Sequence, residues 1–180
     1  MLALELIDRI VSLLREHKTG RRQLFNDHIH PLFDDLATVH ADYMASLADL
    51  SDLVGRAAGK DEIRSAAAKR RELVRPVRSK AWAISIALNE AGAKGYSPPA
   101  VAFFVAVNDY FRAATGEPEE SRQPSLYRDI LQELEDGPET ASEELAKRVR
   151  AFLSRAKKAL SAGWSDVTVT YAVARRDLLN

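Results

Sequence analysis

The chain contains no cysteine among its 180 residues, and this absence removes several kinds of chemistry at once. Without cysteine there can be no disulfide, no thiolate nucleophile and no cysteine-based metal site. A chain without disulfides is typical of a reducing compartment. The cysteine content therefore favours the cytoplasm.

Net charge and long apolar runs are also missing. Lys plus Arg and Asp plus Glu both number 26, so no overall field attracts nucleic acid or an anionic membrane. The most apolar stretch, residues 100–107 (AVAFFVAV), is far shorter than the ~20 residues that a membrane span needs. Glu5 and Asp8 stand where a secretory signal would have a basic start and an apolar run. We expect a cytoplasmic chain that does not cross a membrane.

Short motifs of the common enzymes are absent as well. The sequence has no Gly-x-Ser-x-Gly element and no phosphate-binding glycine loop. It therefore favours a protein that is not an enzyme, and it predicts no cofactor.

What the sequence does have is the composition and periodicity of a folded helical protein. Apolar residues make up 46% and charged residues 29%, and the apolar residues recur every three or four positions. We predict one all-α domain over residues 1–180, a helical bundle in which shorter helices pack on a long antiparallel helical hairpin (about residues 21–91). The predicted helices cover about residues 2–18, 21–54, 60–91, 98–114, 125–136 and 138–162.

Glycine and proline mark the predicted boundaries. Gly20 ends the first helix, because glycine is common just past a helix C-terminus, and the sequence GRAAG at 55–59 is the hairpin turn. Ser97 caps the fourth helix, with Pro98 at its first position. The acidic stretch at about 115–124 is expected to be a mobile connector.

The last segment, residues 165–179, follows Gly163 and has two readings. Its valines alternate as in a strand, yet its apolar residues also form a helical stripe. Because a lone strand would leave its backbone groups unpaired, we predict a helix.

Charges and apolar residues agree on one pairing of the two hairpin helices. Three aspartates recur every seven residues in the second helix, and three arginines do so in the third. If the chain folds back at 55–59, each aspartate faces an arginine beside an apolar seam. The predicted pairs are Asp35 with Arg78, Asp42 with Arg71, and Asp49 with Arg64.

The helix at 138–162 carries a basic face opposite its apolar stripe, so this face should be exposed to solvent. Such a face often only keeps a helix soluble, but it could also bind a partner protein or a phosphate backbone. The six residues of the face are Lys147, Arg148, Arg150, Arg155, Lys157 and Lys158.

Histidines and aspartates cluster in the second helix, where imidazole and carboxylate ligands could hold zinc, iron or manganese. The candidates are His28, His30, His40 and Asp34. No spacing places two of these imidazoles on one helical face, and Pro31 separates His30 from Asp34. We predict no metal site.

The leading hypothesis is a non-enzymatic interaction or regulatory module that acts through protein–protein contacts or oligomerisation. Apolar residues of the helix at 2–18 spread more broadly than one seam requires, as in a helix that meets a second copy or a partner. One alternative is a nucleic-acid-associated protein that uses its basic helix faces. Another is a metal-dependent enzyme that uses the cluster of His28, His30, His40 and nearby aspartates.

Overall fold

The structure, a computed structural model, describes residues 18–56, 58–90, 97–112, 126–135 and 143–180. These ranges contain helices and no strand, which confirms the all-α class. Most of the predicted helix at 2–18 and the whole connector at 115–124 lie outside them. The α-helices are α1 (Lys18–Leu24), α2 (His30–Gly55), α3 (Lys60–Glu90), α4 (Pro98–Arg112), α5 (Leu126–Glu135) and α6 (Glu143–Leu179).

A π-helical turn, Phe25–Ile29, joins α1 to α2 without a break. The backbone N–H of His30 donates to the carbonyl oxygen of Phe25, which is the wider hydrogen bond of a π turn. Pro31 has no N–H and cannot bond the carbonyl four residues earlier. The π turn lets the helix pass this proline with a local widening instead of an interruption.

Gly20 was predicted to end one helix, and Gly163 was predicted to separate two. Both lie inside helices, so both predictions were wrong. Gly20 is a buried residue of α1, and Gly163 lies within α6. A glycine in a helix interior costs about 1 kcal/mol relative to alanine. Burial of flanking side chains offsets this cost: Leu160 and Val167, on either side of Gly163, are both fully buried. The described part of the predicted helix at 138–162 therefore continues into the predicted helix at 165–179 as one helix of 37 residues, Glu143–Leu179.

The last segment is helical, as predicted. Val167, Ala174 and Leu178 are buried, whereas Val169 and Val173 are exposed. This is the pattern of one buried helical face, and the alternation of valines does not follow the burial.

The predicted cap of α4 is confirmed. Ser97 Oγ accepts a hydrogen bond from the backbone N–H of Ala100 at 3.3 Å, and Pro98 is the first helical residue. The apolar run that follows is buried, with Phe103 and Val107 fully enclosed. It packs chiefly on α6 and also on α3.

The remaining packing places α2 between two neighbours. One side of α2 packs on α3 and another on α6, while α5 packs on α3 and α6. Pro76 lies inside α3. The core is drawn from the described parts of all these helices, and its largest fully buried side chains are Tyr110, Tyr127, Phe103 and Phe104.

Candidate functional site

A hydrogen-bonded network joins α2, α3 and α5. The hydroxyl of Tyr127 donates to Asp42 Oδ2 at 2.5 Å, and Ser46 Oγ lies 2.7 Å from the same hydroxyl. Because Tyr127 gives its only proton to Asp42, Ser46 must donate to Tyr127. Arg70 completes the network by donating to Asp42 Oδ1 at 3.4 Å and to Asp49 Oδ2 at 2.6 Å.

The electrostatics of this network favour a fixed protonation state. Burial raises the pKa of Tyr127, and its hydrogen bond to Asp42 raises the pKa further. The hydrogen bond to Asp49 raises the pKa of Arg70. A phenol that stays neutral and a guanidinium that stays charged exchange no proton near neutral pH. The network is therefore suited to holding helices in place and poorly suited to acid–base catalysis.

Arg70 makes the contacts that the heptad pattern assigned to its neighbours. Asp42 meets Arg70 where Arg71 was predicted, and Asp49 meets Arg70 where Arg64 was predicted. Arg64 instead bonds Asp61 of its own helix at 3.0 Å. The two aspartates are separated by about 10 Å along α2, and one long arginine between them reaches both. The third predicted pair, Asp35 with Arg78, cannot be compared, because the Arg78 side chain lies outside the described residues.

Stacked rings fill the opposite side of α2, where it meets α6. Phe33 stacks on Tyr171 with ring centroids 3.9 Å apart and on Trp164 at 5.4 Å. His40 stacks on the other side of Trp164 at 4.7 Å. The sequence reasoning missed this cluster. A signal existed, since the two α2 rings and the two α6 rings are each spaced seven residues apart.

Two of the candidate metal ligands are bonded to tyrosine hydroxyls. His40 Nδ1 lies 3.0 Å from the hydroxyl of Tyr110, and His30 Nδ1 lies 3.0 Å from that of Tyr171. Burial lowers the pKa of His40. His28 is buried on another part of the helix. Within the described ranges, no three histidine or carboxylate side chains are grouped as a metal site would require.

The end of α6 is bonded to α1 and to the residue that caps α4. Asp177 accepts hydrogen bonds from Ser97, before α4, and from Arg21 of α1 at 2.6 Å. The Ser97 bond, followed by the Arg21 contact, lowers the pKa of Asp177. The cap of α4 is thereby tied to the far end of α6.

The six predicted basic residues of α6 are all exposed. Arg150 Nη2 reaches the carbonyl oxygen of Val54 at 3.5 Å. The exposed surface extends beyond these bases, because residues at helical spacing remain exposed almost to the end of α6. We call this line the outer stripe of α6; its residues are Lys147, Ala151, Arg155, Lys158, Ala162, Ser165, Val169 and Val173.

Comparison with protein families, with curated proteins and with solved structures finds no match to this chain. Of the helices in the described ranges, none has the length and apolar content to cross a membrane.

Proposed function

We propose that the protein is a helical interaction module that binds another protein through the outer stripe of α6. The observation that carries this proposal is the exposure of two valines in line with the basic residues. Val169 is 60% exposed and Val173 is 38% exposed. An outward helix face that serves only solubility is polar. Exposure of a valine side chain to water is unfavourable, and burial of that side chain against a partner is favourable.

The chemistry of the stripe changes along its length. Lys147, Arg155 and Lys158 make its first half basic, whereas Ala162, Val169 and Val173 make its second half mainly apolar. A phosphate backbone carries charge at regular intervals and offers nothing to exposed valines. A protein surface that is acidic at one end and apolar at the other complements both halves. A protein partner is therefore favoured over nucleic acid.

The length of the outer stripe indicates how long a matching partner surface would be. From Lys147 to Val173 the helix rises roughly 40 Å. A partner helix of about 25 residues would match that length at the same rise per residue. The absence of cysteine supports a cytoplasmic setting for this interaction.

Two variants separate the halves of the stripe. One carries Arg155→Glu with Lys158→Glu, and the other carries Val169→Asn with Val173→Asn. Lys69→Glu serves as the control, since Lys69 is an exposed cation on α3. Each tagged protein is used for affinity capture from an extract of the native host with quantitative mass spectrometry. The captured protein is then purified, and its binding is measured by calorimetry.

We expect one partner that binds the wild-type and control proteins and is weakened by both stripe variants. Sedimentation velocity on the protein alone shows whether that partner is a second copy of the chain. Salt-dependent binding of duplex DNA or RNA, lost in the charge variant and unchanged in the valine variant, would replace this proposal with the nucleic-acid alternative.

A further inference from the structure

A groove lies between α2 and the C-terminal end of α6. Its volume is about 510 Å³, within the range of small-molecule sites. It is open to solvent on one side, and its lining includes two aromatic rings and two arginines. The lining residues that matter here are Phe33, Thr168, Tyr171, Ala172, Arg175 and Arg176.

The aromatic part of the lining is a pair of nearly parallel rings. Phe33 and Tyr171 have centroids 3.9 Å apart and an interplanar angle of 9°. The Tyr171 ring is held on other sides by Phe25 at 5.7 Å and by Phe103 at 5.9 Å. The bond between its hydroxyl and His30 Nδ1 fixes the ring's far end. A surface held in this way is preorganised, so a ligand loses little free energy in ordering it.

Two guanidinium groups of the lining supply positive charge. Arg175 and Arg176 are exposed and line the groove. The charge of Arg175 acts on Tyr171, and that of Arg176 acts on Asp177. The strongest contacts of the nearby acids go to other residues. Asp34 faces His30, with 3.7 Å between Oδ1 and Nδ1, and Asp177 is bonded to Ser97 and Arg21.

We propose that this groove binds a small, flat aromatic carboxylate. The flat faces of Phe33 and Tyr171 are stacked on each other, so their edges can meet the face of an aromatic ligand. A guanidinium can bind a carboxylate through two parallel hydrogen bonds. An uncharged aromatic molecule would place no anion beside the guanidinium groups, and a simple anion would leave the ring edges uncovered. Arg176 and Ala172 lie beside the end of the outer stripe on α6, but this proposal rests on the rings and the guanidinium groups and not on the function of the stripe.

The experiment compares fluoronaphthoate with its uncharged alcohol, fluoronaphthalenemethanol, by ligand-observed fluorine NMR. The carboxylate should bind wild-type protein more tightly than the alcohol. Arg175→Gln with Arg176→Gln should weaken carboxylate binding by about tenfold, since each group can supply a charge-assisted hydrogen bond. The alcohol should bind this variant and the wild type equally. Lys69→Gln, which removes an exposed cation on α3, is the control and should bind as wild type.

A second variant tests the position of the ligand without removing a core contact. Ala172 is exposed and lines the groove, so Ala172→Phe should fill the space and abolish binding of both compounds while the circular dichroism spectrum stays unchanged. Equal binding of carboxylate and alcohol to the wild type would overturn the proposal. So would carboxylate binding that neither the double arginine variant nor Ala172→Phe reduces.

Discussion

The two sides of α2 hold the protein together by different means. Toward α6, the helix presents Phe33 and His40, which stack on Tyr171 and Trp164. Toward α3 and α5, it presents carboxylates and Ser46, which are bound by Arg70 and Tyr127. One side uses apolar ring area, and the other uses directed hydrogen bonds.

The two sides of α2 are expected to contribute differently to the stability of the fold and to the placement of its helices. Ring packing removes large areas from water, so it supplies free energy while allowing several ring orientations. The polar network gains little net free energy per bond, because each group loses hydration when it is buried. It does require particular distances and angles. We infer that the ring side contributes more to stability and the polar side more to the placement of α5.

Loss of a buried ring should give the largest effect. Phe103 is fully buried beside Tyr171, and Phe103→Ala should lower the free energy of unfolding by about 3–5 kcal/mol because it leaves a cavity. Urea unfolding followed by circular dichroism measures the change. Val105→Ala on the same helix is the control; Val105 is 43% exposed, so its loss should stay within about 0.5 kcal/mol. Similar losses in the two variants would contradict the large contribution expected from the buried ring of Phe103.

Removal of one hydroxyl from the polar side should have an intermediate effect. Tyr127→Phe leaves the carboxylate of Asp42 with one bond fewer and takes the acceptor from Ser46, which is fully buried. We expect a loss of about 1–3 kcal/mol. Tyr171→Phe is the matched control, since its hydroxyl bonds His30 at an exposed position, and its loss should be below about 1 kcal/mol. A larger loss in Tyr171→Phe would reverse the assignment.

Acidification should affect the ring side through His40. Burial lowers the pKa of His40 below its ordinary value of 6.5. As the pH falls below 6.5 toward the lower pKa of the folded protein, His40 of the unfolded chain binds a proton before His40 of the folded chain does. The free energy of unfolding therefore falls as the pH decreases in this range. We expect the urea midpoint of the wild type to drop between neutral pH and about pH 5. His40→Gln should show a smaller drop, and an equal drop in the two proteins would assign the effect to other groups.

The all-α class could be predicted from periodicity, because a helix that buries one face has an apolar residue at every third or fourth position. Helix ends were less predictable. Glycine is common at helix ends, so Gly20 and Gly163 favoured termination. Both helices nevertheless continue through these glycines, because residues distant in sequence pack on them. That packing is a property of the assembled bundle, and a local propensity of about 1 kcal/mol cannot outweigh it.

The candidate sites show the same limit at the level of side chains. The exposed bases of α6 were predictable, since their position follows from the helical period. Tyr127 lies 85 positions from Asp42, in a helix whose docking no local pattern specifies. The groove at Phe33 and Arg175 likewise depends on how α6 crosses α2. Heptad spacing indicated which helix faces meet. It did not determine which charges pair, because one long arginine side chain can reach several carboxylates.

The smallest expected effect is the coupling energy of one exposed ion pair, and it tests which arginine pairs with Asp49. Asp49 and Arg70 are joined at 2.6 Å, but their side chains are 56% and 37% exposed, so solvent screens the pair. A double-mutant cycle with Asp49→Asn and Arg70→Gln should give a coupling energy of about 0.2–1 kcal/mol that decreases with added salt. The heptad pattern instead pairs Asp49 with Arg64, and the matched cycle with Arg64→Gln should give no coupling within error, because Arg64 bonds Asp61. Coupling of Asp49 to Arg64 and not to Arg70 would favour the heptad pairing over the contacts seen in the structure.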